Sequence, residues 1–171
     1  MTMTVEDLLR VKGETLQLEL LAGGSGLSRP IEGPDVSSPG LVLAGYTERF
    51  VGGRIQVLGE TEISYLRALP KSELRTVLEK FFSLDMPAVV VTKGLDVPRP
   101  AVAEADQRAV PLIRTRLKTG EFYRRIQPYL EGEFAPRTIM HGSLADVYGV
   151  GLLFIGRSGI GKSECVLDLV E

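Results

Sequence analysis

The 171 residues are 44% hydrophobic and 25% charged, close to the average soluble chain and enough for one domain plus part of a second. A net charge of −2 with the signs interspersed gives no basic stripe for nucleic acid, and no apolar run is long enough to span a membrane. One cysteine, Cys165, and one histidine, His141, exclude an internal disulfide and a Cys/His zinc site within one chain, so any metal would be held by oxygen.

The opening MTMTVEDLLR places acidic residues where a secretory leader needs a basic and then an apolar stretch, so a cytoplasmic protein is expected. From Val5 to about Leu130, short apolar runs alternate with helix-length amphipathic stretches, the pattern of an α/β layer arrangement. Residues 16–21, LQLELL, alternate as a strand and run into the glycine-rich turn GGSG. Ile55-Gln56-Val57-Leu58 reads as a second strand, after which Thr61 is expected to cap a helix reaching Leu69, where Pro70 ends it. Leu74, Val77, Leu78, Phe81 and Phe82 recur at helical spacing, and Ala88-Val89-Val90-Val91-Thr92 follows as a strand covered on both faces, stopped at Gly94. Residues 101–109 are helix-like. In Val110-Pro111-Leu112-Ile113 the proline points to an edge strand. One more helix is expected over residues 115–130, with Leu117, Phe122, Ile126 and Tyr129 on its stripe. Residues 131–136 have the composition of a connector, which divides the chain into domains at 1–132 and 133–171.

Beyond the connector, residues 138–147 look strand-like, Tyr148-Gly149-Val150-Gly151 is turn material, and Leu152-Leu153-Phe154-Ile155 is an apolar strand. It leads into Gly156-Arg157-Ser158-Gly159-Ile160-Gly161-Lys162-Ser163, which satisfies G-x-x-x-x-G-K-[ST] at every fixed position. The spacing has a chemical reason. Glycines let the backbone curl so that successive N–H groups point inward, and the following helix adds its positive end. Lys162 then supplies a mobile charge for β- and γ-phosphates, and the Ser163 hydroxyl a ligand for bridging Mg²⁺. A glycine-rich strand-to-helix turn with no ligand would not need Lys and Ser in that order. His141 falls on the strand that a hairpin would lay beside the loop; a lone histidine there is either a structural hydrogen-bonder or a group facing phosphates. Asp146 is a solvated strand-end carboxylate or a metal ligand. Cys165 reads as a small core residue of the post-loop helix.

Together, residues 140–155, MHGSLADVYGVGLLFI, running into the loop and Glu164, resemble bacterial HPr kinase/phosphorylase. That family joins a histidine, D-x-x-G-x-G and G-x-S-G-x-G-K-S-E, and here His141, Asp146, Gly149, Gly151 and the loop occupy the corresponding positions. Weaker echoes before it are Gly94, Pro98-Arg99-Pro100 and Pro111-Leu112-Ile113-Arg114-Thr115. The resemblance implies an N-terminal α/β domain similar to the N-terminal domain of Mur ligases, followed by the first strands and P-loop helix of an incomplete P-loop kinase domain. It implies phosphorylation of a serine of HPr with ATP and Mg²⁺, the reverse phosphorolysis releasing pyrophosphate, and a hexamer responsive to glycolytic intermediates and phosphate. By the same resemblance His141 and Lys162 are active-site groups and Ser163 binds the metal.

Family members continue beyond the helix starting at Lys162 with a base, a second metal ligand, an arginine and the HPr-facing surface. A chain holding only the opening of that domain is expected to be nearly inert, because transfer needs nucleophile, metal and phosphates positioned together. Its hairpin and short helix are expected to need a partner surface to bury themselves. Two other readings stand beside a truncated HPr kinase: an N-terminal regulatory or oligomerisation module with a vestigial nucleotide site, and an unrelated small P-loop kinase. The histidine and D-x-x-G-x-G lead-in argues against the last.

Overall fold

A computed structural model of the chain describes residues 3–170. They form two compact units, the first ending at Ala135 and the second beginning at Pro136. In the first unit the elements are β1 (Met3–Thr4), α1 (Val5–Lys12), β2 (Leu18–Ala22), β3 (Pro30–Ile31), β4 (Val36–Ser37), α2 (Gly40–Leu43), β5 (Ile55–Leu58), α3 (Glu60–Ala68), α4 (Lys71–Phe82), β6 (Val89–Val91), α5 (Arg99–Gln107), β7 (Leu112–Thr115) and α6 (Thr119–Phe134). A five-stranded sheet runs in the order β2-β7-β6-β5-β4. Strands β4 to β7 are mutually parallel, and β2 closes the edge antiparallel to β7. The fold is mixed α/β, as the alternating pattern requires. A separate two-stranded ribbon pairs β1 with β3.

The strands carry this sheet because both of their faces are apolar. Val89 and Val91 enter one core with Leu58, Leu112, Ile63, Leu78, Phe81 and Ala105, from α3, α4 and α5. Val90 turns to the other core with Ile55, Val57 and Ile113, beneath Val5 and Leu8 of α1 and Phe122, Ile126 and Leu130 of α6. Successive β-strand side chains point to opposite faces, so three consecutive valines serve two helical layers.

Three local expectations are corrected. The cap of α3 is Gly59, whose N–H donates to Glu62 Oε2 at 2.9 Å; a carboxylate one turn on replaces the hydroxyl of Thr61. Strand β7 is internal, between β2 and β6: Pro111 precedes the strand, where a missing N–H costs no ladder bond, and its carbonyl accepts from Val89 N–H at 2.8 Å. The last helix starts at Thr119 and extends to Phe134, because Thr115 and Leu117 are already buried in the strand and loop before it. The connector composition at residues 131–134 is therefore helical.

Gly23 adopts φ +71°, and a Cβ there would lie 2.0 Å from the Val110 carbonyl oxygen, so the turn after β2 admits only glycine. Beside it, Arg29 donates from Nε to Ala109 O at 2.6 Å, from Nη1 to Met86 O at 3.1 Å and from Nη2 to Arg108 O at 3.0 Å. One cation thus satisfies three loop carbonyls at the amino ends of β6 and β7. Arg29→Ala should lower stability by about 1–3 kcal/mol, read as a reduced urea midpoint with unchanged slope; a midpoint equal to the parent's would show that the clamp contributes nothing.

At the N-terminus of α1, Thr4 Oγ1 accepts from Asp7 N–H and Asp7 accepts from Thr4 N–H. The Thr4 hydroxyl also donates to Asp7 Oδ2 at 2.7 Å, and this bond, followed by the one from Thr4 N–H, holds the Asp7 carboxyl below its ordinary value. A lowered folded value contributes stability that is complete above the unfolded value and lost as pH falls through the folded one. Asp7→Asn should therefore reduce the melting temperature at pH 6, with the gap closing as the medium is acidified below the ordinary aspartate range.

Candidate functional site

The second unit is built from β8 (Gly142–Val147), β9 (Val150–Ile155) and α7 (Lys162–Val170). The strands pair antiparallel from Gly142↔Ile155 to Val147↔Val150. Tyr148 and Gly149 make the two-residue turn, both at positive φ, 52° and 80°, matching the twist that a tight hairpin needs. Asp146 Oδ1 accepts from Gly149 N–H at 2.8 Å, so this carboxylate builds the turn. Among the described residues of this unit Ala145 alone is buried, while Leu144, Leu153, Ile155 and Leu167 are about half exposed or more. Cys165 is exposed as well, contrary to the core position expected of it: a two-stranded hairpin gives a helix too little surface to enclose its first turns.

Residues 156–161 link β9 to α7, and Lys162 and Ser163 open the helix. Gly159 and Gly161 take φ of +82° and +88°, conformations that side-chain-bearing residues rarely adopt; they turn the chain through the loop before the helix begins. A concavity of about 320 Å³ is lined by Ser158, Gly159, Gly161, Lys162, Ser163 and Glu164. Lys162 reaches back across it, Nζ donating to Gly156 O at 2.9 Å and Arg157 O at 2.8 Å. The nine-residue helix that Lys162 opens adds the positive end of its dipole at this terminus. The donor set is a primary ammonium, a serine hydroxyl and backbone N–H groups, which fits a polyphosphate and its counter-cation. Arg157 and Ile160 are exposed, Ile160 at 67%.

His141 lies one residue before β8 and is exposed. By register it sits just beyond the Gly142↔Ile155 pair, level with Gly156. The hairpin thus brings His141 to the start of the loop that holds Lys162. Among the described residues no three His, Cys, Asp or Glu side chains gather to hold a metal ion. Glu164 is an addition to the expected set: it lines the concavity, and its Oε2 lies 3.3 Å from where a Cβ of Gly161 would stand.

Two family models divide the chain between them. The one described as HPr Serine kinase N terminus matches residues 3–130, and the HPr Serine kinase C-terminal domain matches residues 132–171. The chain belongs to the HPr serine kinase family. Among curated relatives it is 42% identical over 168 residues to the HPr kinase/phosphorylase of Shouchella clausii, covering 98% of this chain and 53% of that one. With the HPr kinase/phosphorylase of Geobacter sulfurreducens it shares 44% over 169 residues, 99% of this chain and 53% of the relative. The chain spans about half the length of the curated relatives it matches. A solved structure of the CBS and DRTGG domains of the regulatory region of Clostridium perfringens pyrophosphatase gives a TM-score of 0.49 at 18% identity over 69% of this chain and 45% of that one. So weak a likeness leaves the HPr serine kinase fold to be read from its own strand order.

Proposed function

We propose that the chain carries the nucleotide-binding portion of a protein-serine kinase and phosphorylase that acts on HPr. The observation that supports this most is the loop of residues 156–163, where glycines at positive φ, the Lys162 ammonium and the Ser163 hydroxyl converge on one concavity with His141 level in register. In this reading residues 1–132 form a Mur-ligase-like N-terminal domain and residues 133–171 open a P-loop kinase domain.

Bound Mg·ATP supplies a transferable γ-phosphoryl group. Lys162 holds the β- and γ-phosphate oxygens in exchange for the carbonyls of Gly156 and Arg157, and the backbone N–H groups of Ser158, Gly159, Ile160 and Gly161 and the first turn of α7 cradle the rest. The Ser163 hydroxyl would be this chain's ligand for the Mg²⁺ carried on those phosphates. Arg157, at a variable position of the loop, stays at its rim. His141 serves the phosphoryl end of the site. In the forward direction the serine oxygen of HPr gains the phosphoryl group, ADP leaves and the hydroxyl proton is released. In reverse, an oxygen of inorganic phosphate attacks phosphoserine, the bond to the serine oxygen breaks, and pyrophosphate departs while the serine regains its proton. The protein is cytoplasmic in this reading and assembles as a homo-oligomer, a hexamer in the full-length family.

The direct test incubates the chain with γ-labelled ATP, Mg²⁺ and HPr, then phosphoserine-HPr with phosphate, scoring label on HPr and pyrophosphate released. Label on HPr that requires Mg²⁺ is expected from a complete site. Binding of Mg·ATP with little or no label transferred is what the chain, spanning about half the length of its relatives, is expected to give, and failure to bind Mg·ATP would sink the nucleotide assignment itself.

A further inference from the structure

The loop motif accounts for Lys162 and Ser163 but not for the second charged side chain in their concavity, Glu164. Glycine followed three residues on by glutamate stands at the start of two helices of this chain, Gly59 with Glu62 at α3 and Gly161 with Glu164 at α7. Both carboxylates fold back over their glycine, and a Cβ on either would lie 3.3 Å from the glutamate Oε2.

The two differ in how the charge is answered. Glu62 accepts from Gly59 N–H at 2.9 Å and from the Ser38 hydroxyl at 2.8 Å, so that carboxylate is taken up in capping its helix. Glu164 has no hydrogen-bond or ion-pair partner among the described residues, and Gly161 takes φ +88° where Gly59 is extended at −97°. Lys162 leaves the carboxylate unanswered as well, since its Nζ donates to the carbonyls of Gly156 and Arg157. The cradle thus holds a free carboxylate beside the groups that bind anions, and there it opposes a ligand in proportion to the ligand's negative charge. A polyphosphate without metal meets the full repulsion. A divalent cation on its oxygens cancels much of it.

We propose that Glu164 makes the loop select metal-loaded nucleotide, by repelling ATP that carries no divalent cation. The inference rests on reading the loop as a nucleotide cradle. It assigns to Glu164 the discrimination between two charge states of one ligand, while capture of that ligand belongs to Lys162, Ser163 and the loop amides. Because Glu164 is exposed, its effect is screened by salt and should shrink as ionic strength rises.

Calorimetric titration of this chain with ATP in EDTA, and with ATP in excess Mg²⁺, gives two dissociation constants whose ratio measures the selection. Glu164→Gln keeps the size of the side chain and removes its charge. It should tighten binding of metal-free ATP by about fivefold or more at low salt and lower the ratio accordingly, with the gain fading in ~0.5 M salt. Asp168→Asn removes a carboxylate one turn further along α7 that does not line the concavity, and should leave the ratio unchanged. The proposal is overturned by any of three results: metal-free ATP binding to Glu164→Gln within about twofold of the parent, a ratio that falls only because Mg·ATP binds more weakly, or an equal gain in Asp168→Asn. Those results leave Mg·ATP binding by the parent intact. If the parent binds neither form, the nucleotide reading itself falls, and this inference with it.

Discussion

Lys162→Ala should weaken binding of Mg·ATP to this chain by about 10- to 100-fold, the equivalent of losing one charged hydrogen-bonding partner. The residue makes its two hydrogen bonds to carbonyls of its own loop and is not part of a packed core, so the variant should keep its melting temperature. Lys162→Arg should not rescue it: a planar guanidinium is wider than the ammonium and presents its donors in a fixed fork. Titration with a fluorescent ATP analogue reads both effects. An alanine variant binding within twofold of the parent would show that the loop is only a strand-to-helix turn.

The second large effect is on stability. Phe122 is fully buried on the α6 face of the sheet and Phe81 is 2% exposed on the opposite face. Either one replaced by alanine should cost about 3–5 kcal/mol, which for a unit of this size corresponds to a fall in melting temperature of roughly 10–20 °C. The two should be comparable, because each core is sealed by helices and neither is a satellite of the other. Circular dichroism melts of both variants check this. A loss under about 1 kcal/mol for Phe122→Ala would mean that α6 is a loosely attached helix.

The amino-acid pattern made the sheet legible wherever strands were doubly buried: residues 55–58 are apolar but for Gln56 and residues 88–91 are apolar throughout, and both became central strands. The order of the strands was not legible. Pro111 suggested an edge, yet the pairing of β2 with β7 is a tertiary contact that no local signal carries. The start of α6 was masked by Leu117, which matches the helical stripe while belonging to the preceding loop. At the phosphate loop the residue types defined the motif. Which carbonyls Lys162 touches, and the role of Asp146 as a turn acceptor, are properties of backbone geometry. A concavity of about 610 Å³ at the carboxyl ends of β4 to β7 left no mark in the sequence, since its rim is drawn from residues scattered between Ser38 and Gly120; only the topology gathers them.

The antiparallel closure of β2 on β7 has a consequence for biosynthesis. Glu19 meets Arg114 across that pair although they are 95 residues apart in the chain. The edge strand therefore leaves the ribosome early and finds its partner only after nearly the entire first unit has been made. Until then Leu18, Leu20 and the exposed flank of the growing sheet lack their native neighbour, a prolonged opportunity for wrong pairing that slows folding of long-range topologies. Conditions that lengthen translation between codons 22 and 112 should thus raise chaperone dependence of this protein more than equal delays placed after codon 135.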